Sequence, residues 1–140
     1  MKRTMGLDLG SVTCGIAISD PLGIVARAVE TVRFEADQYD ECLEKVLEVI
    51  HREMPDEIVL GLPKHMNGDI GVRGEISQNF KAMLEEEIQI PVTLWDERLT
   101  TVAAEKILIQ ADLSRKKRKK IIDQMAAVQI LQSYLDYHKA

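Results

Sequence analysis

Asp8, Glu97 and Asp123 are the residues of this chain whose types and positions could do chemistry together. Carboxylates brought close repel one another: two unit charges ~4 Å apart oppose each other by roughly 4 kcal/mol at an effective dielectric constant of about 20. A group of three therefore takes up protons or is neutralised by cations. An all-oxygen set without clustered His or Cys suits Mg or Mn better than Zn. Two such ions, about 3.5–4 Å apart, can activate a water and steady the leaving oxygen of a phosphodiester. Spacing alone leaves a plainer reading open, in which Asp8 caps a turn, Glu97 is a solvated loop residue and Asp123 is a helix acid favoured by the dipole.

The elements that must position these acids follow from hydropathy. Arg3 to Leu9 alternates, with Met5, Leu7 and Leu9 on one face and Thr4, Gly6 and Asp8 on the other, which predicts a strand with Asp8 at its end. Thr13 to Ser19 reads as a second strand, turned back antiparallel at Gly10-Ser11. Asp20 to Gly23 is a turn, and Ile24 to Phe34 a third strand. Asp37 to Glu53 carries the stripe of an amphipathic helix, and Glu57 to Pro63 the apolar run of a strand buried on both faces. A glycine-rich loop from Lys64 to Gly74 precedes a second helix marked by Ile76, Phe80, Met83, Leu84 and Ile88. Pro91 to Trp95 is a fifth strand, and two final helices cover Thr101 to Gln110 and about Ser114 to Tyr137. This order predicts an α/β fold: a five-stranded mixed sheet, with an antiparallel three-strand meander plus two parallel strands, and helices on both faces. If the first and fifth strands end at one sheet edge, Asp8 and Glu97 share a crevice. Gly6, Ala126 and Ala127 are small enough to let the last helix bring Asp123 there.

Arg115-Lys116-Lys117-Arg118-Lys119-Lys120 holds six of the 18 basic residues just before Asp123. Beside an acidic site it reads as a grip on a phosphate backbone, and otherwise as a solvated helix face. Lys64, Asn67 and Arg73 in the glycine-rich loop, with Arg98 after Glu97, could also approach phosphate or sugar. Lone His65 reads as a loop residue, Thr100 and Thr101 as the start of a helix, and Asp20 as a turn or outer-shell group. Trp95 and Phe80 read as core, since 4% aromatic residues are too few for a base-stacking surface. A net charge of −5 argues against bulk nucleic-acid binding, although local distribution can outweigh the total. The 140 residues suit one domain spanning 1–140. Cys14 and Cys42 suit reduced, buried thiols, and with no long apolar run the expectation is a cytoplasmic protein away from the membrane.

Gly6-Leu7-Asp8-Leu9-Gly10-Ser11, Gly15 to Pro21, Gly61-Leu62-Pro63, Asn67-Gly68 with Gly71, Asp96 to Thr101, and Ile122 to Ala127 occur in an order that resembles the YqgF/RuvX family across nearly the whole chain. That resemblance implies a ribonuclease H-like fold and a nuclease acting on precursor ribosomal RNA or on branched DNA at Holliday junctions. It also implies Asp8, Glu97 and Asp123 as the catalytic and metal-binding acids, with Mg or Mn, two ions, as cofactor. The partners it implies are nucleic acid and the ribosome, for a monomer or weak homodimer. Cys14 departs from the family, where many members carry a basic residue, and puts a backbone contact there in doubt. Two rivals stand beside this reading. An actin-like ATPase or sugar kinase shares the Asp-x-Gly opening but encloses its nucleotide between two domains. A non-catalytic RNA-binding factor in ribosome assembly or transcription would work through Arg115 to Lys120 alone.

Overall fold

The computed structural model of the protein describes residues 2–98 and 115–138, with side chains in the last segment from residue 125 onward. Its elements are β1 (Thr4–Leu9), β2 (Thr13–Ser19), β3 (Ala26–Arg33), α1 (Tyr39–Glu53), β4 (Glu57–Leu62), α2 (Val72–Glu87), β5 (Val92–Asp96) and α3 (Arg115–Tyr137). The helix expected over Thr101 to Gln110 lies outside the described residues.

The five strands form one sheet in the order β3-β2-β1-β4-β5. β1 to β3 make the expected antiparallel meander, and β4 runs parallel to both β1 and β5. The three parallel strands therefore finish at one edge. The two-residue alternation of β1 separates the faces as the sequence suggests. Met5, Leu7 and Leu9 enter a core with Ile16, Ile18, Ile58 and Leu60, covered by α1 and α2 through Cys42, Val46, Ile50, Phe80 and Leu84. The opposite face receives α3, whose Ala127, Leu131 and Leu135 pack against Ala17 and Ala26.

Hydrogen bonds fix the position of α3 along this face. The Gln132 amide donates to the Ile24 carbonyl at 2.8 Å and accepts from the Ala26 N–H at 2.9 Å. Tyr134 O–H donates to Glu57 at the start of β4, and Trp95 Nε1–H on β5 donates to Ser133 Oγ at 3.2 Å. Each such bond is worth about 0.5–1.5 kcal/mol net, so the set discourages sliding of the helix. Its close seating depends on Gly6: a Cβ there would lie 2.8 Å from Leu131 Cβ and 3.1 Å from the Ala127 carbonyl oxygen.

Two boundaries differ from the sequence reading. The loop expected to run to Gly74 ends earlier, because α2 begins at Val72 and takes in Arg73 and Gly74. Gly74 serves contact rather than flexibility: a Cβ would meet Ile70 Cγ2 at 2.5 Å and the Pro63 carbonyl oxygen at 2.9 Å. Ile24 and Val25 precede β3, since their N–H groups are held by Asp20 Oδ1 at 2.7 and 2.9 Å. Asp20 is thus the turn residue, and its bonds to the Val25 and Ile24 N–H groups hold its carboxyl below the ordinary range.

Gly6→Ala is expected to lower stability by about 1–3 kcal/mol, the usual effect of overpacking a close contact. Urea unfolding would show this as a lower midpoint with an unchanged slope. An unchanged midpoint would mean that α3 is not seated on β1 as described.

Candidate active site

The shared edge of β1, β4 and β5 brings together two of the three acids that the sequence singles out, Asp8 and Glu97. Asp8 is the penultimate residue of β1, half-buried and on the same strand face as Gly6. Glu97 follows β5, and its N–H donates to the Leu62 carbonyl at 3.3 Å, which holds the backbone beside the end of β4. Between the two strands lies Gly61, paired with Trp95 of β5. A Cβ on Gly61 would lie 2.3 Å from Glu97 Oε2 and 2.7 Å from Ile130 Cδ1. The missing side chain of β4 is therefore the space in which the Glu97 carboxyl lies, against α3.

Burial in this seam pushes Glu97 up to about 7, with the Asp8 charge adding to the shift and the Arg73 guanidinium opposing it. Asp8 and Glu97 are thus near enough for their charges to interact. Among the described residues, no cluster of three or more His, Cys, Asp or Glu is placed to hold a metal ion. The Asp123 side chain lies outside the described residues; its backbone is helical, one turn before Ala127 in α3. The donor types present, carboxylates without imidazole, fit hard divalent cations.

The structure distributes the sequence-predicted cations unevenly. Arg73, in the first turn of α2, reaches the end of β1, where Nη2 donates to the Leu9 carbonyl and Nη1 to Tyr39 Oη, both at 3.3 Å. Arg98 closes on Asp96, with Nη2 at 2.7 Å from Oδ2 and Nε within 3.1 Å of both carboxylate oxygens. Lys64 Nζ lies 4.0 Å from the same carboxylate. The Arg98 hydrogen bonds hold Asp96 below the usual carboxylate range. Asn67 closes a local turn, accepting from the Asp69 N–H and donating to Asp69 Oδ2, each at 3.0 Å. Arg115, Lys116, Lys117, Arg118, Lys119 and Lys120 form the opening turns of α3, and their side chains lie outside the described residues.

Cys14 is fully buried in the core on the α1 side, so the residue at this position makes no surface contact with a substrate. Its thiol is hydrogen-bonded with Cys42, and this contact, followed by burial, raises its pKa well above the ordinary value. Both cysteines are free and buried, as expected. Trp95 is not the core residue its type suggests: it is half-buried, its ring 5.3 Å from those of both Tyr134 and Tyr137. The spacing of Tyr134 and Tyr137 in α3 carried that signal, which a low overall aromatic content obscured.

Sheet order, the three strands ending at the acidic edge and the helix across the opposite face define a ribonuclease H-like fold of the resolvase kind. Thermus thermophilus RuvC in complex with a Holliday junction substrate matches with a TM-score of 0.63, covering 98% of this chain and 94% of that one at 14% identity. The fowlpox virus resolvase, solved with Holliday junction DNA, matches with a TM-score of 0.55 at 13% identity, covering 96% of this chain and 97% of that one. These likenesses concern the fold. Residues 2–137 match the RuvX family, described as Holliday junction resolvase, and the chain belongs to that family. Its relatives include proteins named "Putative pre-16S rRNA nuclease" from Bacillus licheniformis and Bacillus subtilis, each 55% identical over 134 residues. The match covers 96% of this chain with 96% of the first relative and 97% of the second. Among the described residues, no helix is long and apolar enough to cross a membrane.

A carboxyl raised to about 7 in the folded protein binds protons that the unfolded chain, with an ordinary Glu near 4.3, has released. Stability of the metal-free protein is therefore fullest below about pH 4 with respect to this group and falls as pH rises to about 7. Denaturant midpoints measured in chelator from pH 4.5 to 8 should fall more for wild type than for Glu97→Gln. Parallel curves for the two proteins would contradict the burial of Glu97.

Proposed function

We propose that this chain is a divalent-metal-dependent nuclease that processes the 5′ end of pre-16S ribosomal RNA, with Asp8, Glu97 and Asp123 as its catalytic and metal-binding acids. The observation that carries the reading is the half-buried Glu97 carboxyl, set into the Gly61 gap against α3 and near the Asp8 charge at the common end of three parallel strands. The names of relatives 55% identical over nearly their whole length supply the substrate class.

Asp8 and Glu97 would hold the cations from the ends of two strands, and Asp123 would supply the third carboxylate from α3. Glu97, whose proton affinity is raised in the metal-free site, would release its proton on holding a cation, and the mutual repulsion of the acids would give way to attraction. Two Mg or Mn ions, when bound, supply activation of the attacking water and stabilisation of the leaving oxygen. In the reaction water adds to phosphorus, one P–O bond breaks, and the leaving oxygen gains a proton. Arg73 keeps the end of β1 in place and adds positive charge near Glu97. Lys64, Asn67, Arg98 and the basic start of α3 contact the backbone on either side, offsetting locally the net charge of −5. The 140 residues act as one nuclease domain in the cytoplasm, as a monomer or weak homodimer, on precursor RNA carried by the assembling ribosome. The second reading, resolution of branched DNA, is favoured by the family description and by the fold shared with RuvC.

Labelled precursor RNA and a four-way DNA junction, each incubated with Mg, Mn or chelator, should separate these readings. Cleavage of RNA with metal, lost in Asp8→Asn by a factor of at least about 10² as for other groups central to charge stabilisation, is the expected outcome. Cleavage of the junction alone would select the second reading, and equal activity of Asp8→Asn would sink the mechanism. Lys117→Ala with Lys119→Ala should flatten the plot of log affinity against log salt by about 0.7 per lost contact to single-stranded RNA, with the loss of affinity largest at low salt. An unchanged slope would remove the basic run from the interface.

A further inference from the structure

Beside the acids, at the outer side of β5, lies a cavity of about 730 Å³ that the chemistry above does not use. Its lining includes Trp95, Arg98, Ser133, Asp136, Tyr137 and Met66. We propose that this cavity is a subsite for one unpaired nucleobase of the strand being cut, adjacent to the phosphodiester held at Asp8 and Glu97. The proposal rests on the nuclease reading and adds to it a recognition element for single-stranded RNA next to the scissile bond.

Four observations carry it. First, the cavity adjoins the segment that carries Glu97, because Trp95, Asp96 and Arg98 of its lining flank that residue in the chain. A base seated there belongs to a nucleotide whose phosphate lies toward the acids. Second, its walls are those that hold a base by its faces. The Trp95 and Tyr137 rings meet at 63° with centroids 5.3 Å apart, and Arg98 brings a planar guanidinium to the same space. Asp96 binds that guanidinium at Nε and Nη2 and so pre-orients it, the arrangement in which arginine stacks on a base with little further ordering.

Third, two large apolar side chains face the cavity from exposed positions: Met66 is 92% exposed and Tyr137 75% exposed. Their convergence on one cavity is the kind of apolar surface that marks a contact site. Fourth, the polar groups suit a base edge. Ser133 carries a hydroxyl that accepts from Trp95 Nε1–H, and Asp136 a carboxylate that accepts from Gln132 Nε2 at 3.0 Å, so the wall is one of oxygen acceptors. An N–H-bearing base edge matches this wall. The volume lies within the range of about 300–1,000 Å³ for small-ligand pockets, which suits a nucleoside-sized group. A base held in a duplex has its faces and edge engaged, so only an unpaired one can enter.

Precursor RNA substrates carrying one 2-aminopurine, placed in turn at each position around the cleavage site, give the test. In chelator, where binding occurs without cleavage, quenching of the probe is expected at a single position and is expected to disappear in Tyr137→Ala and Met66→Ala. Both side chains are exposed, and circular dichroism of the two variants checks that the fold is retained. With Mg, Tyr137→Ala should raise KM by about tenfold, within the range for loss of one base–aromatic stack, while kcat changes by less than about twofold. On a substrate abasic at the quenched position, the KM difference between wild type and Tyr137→Ala should vanish. Cleavage with no quenched position, or the same KM difference on intact and abasic substrates, overturns the subsite and leaves the nuclease reading standing. Position-specific quenching lost in Tyr137→Ala, in a protein that cleaves neither RNA nor junction, supports the subsite and overturns the nuclease reading instead.

Discussion

The Glu97 carboxyl, set into the seam between the sheet and α3 within reach of the Asp8 charge, is the constraint on which the rest of the structure depends. A buried acid beside another acid is unfavourable unless the surroundings are built around it. Here β4 gives up its side chain at Gly61 to make room, and the Leu62 carbonyl holds the Glu97 backbone. Arg73 is anchored at the end of β1, where its charge partly offsets the pair. The metal-free site is consequently one whose unfavourable electrostatics can be relieved in two ways, by a proton on Glu97 or by cations. A site that works through bound cations gains from this arrangement, because the repulsion that destabilises the empty state strengthens cation binding.

α3 turns this local demand into a requirement on the whole fold. Its seating uses Gly6 of β1 and the Gly61 gap of β4, so both of these parallel strands lack a side chain where the helix lies against them. The hydrogen bonds of Gln132, Tyr134 and Ser133 distribute its attachment over β3, β4 and β5. Because Asp123 and the basic run occupy the same helix as these anchors, their height along the sheet is set far from where they act. A side chain added at Gly6 therefore bears on the active site without touching it.

Much of this was legible in the sequence. The alternation in Thr4 to Leu9 identified the face of Asp8, and the apolar run from Glu57 onward identified a strand covered on both sides, which is what places β4 at the centre of the parallel part of the sheet. The small residues Gly6 and Ala127 were readable as a close helix contact. Other features were not, each for a physical reason. Gly74 looks like a loop residue because glycine signals both freedom and close approach, and only the Pro63 carbonyl distinguishes them. The intramolecular partners of Arg73 and Arg98, the end of β1 and Asp96, were not readable, since partners for long side chains do not follow from local pattern.

The aromatic side chains carry the same lesson into function. A low total argued against base stacking, yet stacking needs only a local arrangement: Trp95 from the edge strand, Tyr134 and Tyr137 from the end of α3, and a guanidinium fixed by Asp96. The basic residues stand at the opposite end of that same helix. On the proposed reading, a long helix across one face offers backbone attraction near its start and base recognition near its end. Non-specific attraction by itself would hold many phosphates equally well. A base-sized cavity beside Glu97 adds the element that attraction lacks, a register, because seating one unpaired base fixes which phosphodiester lies over the carboxylates.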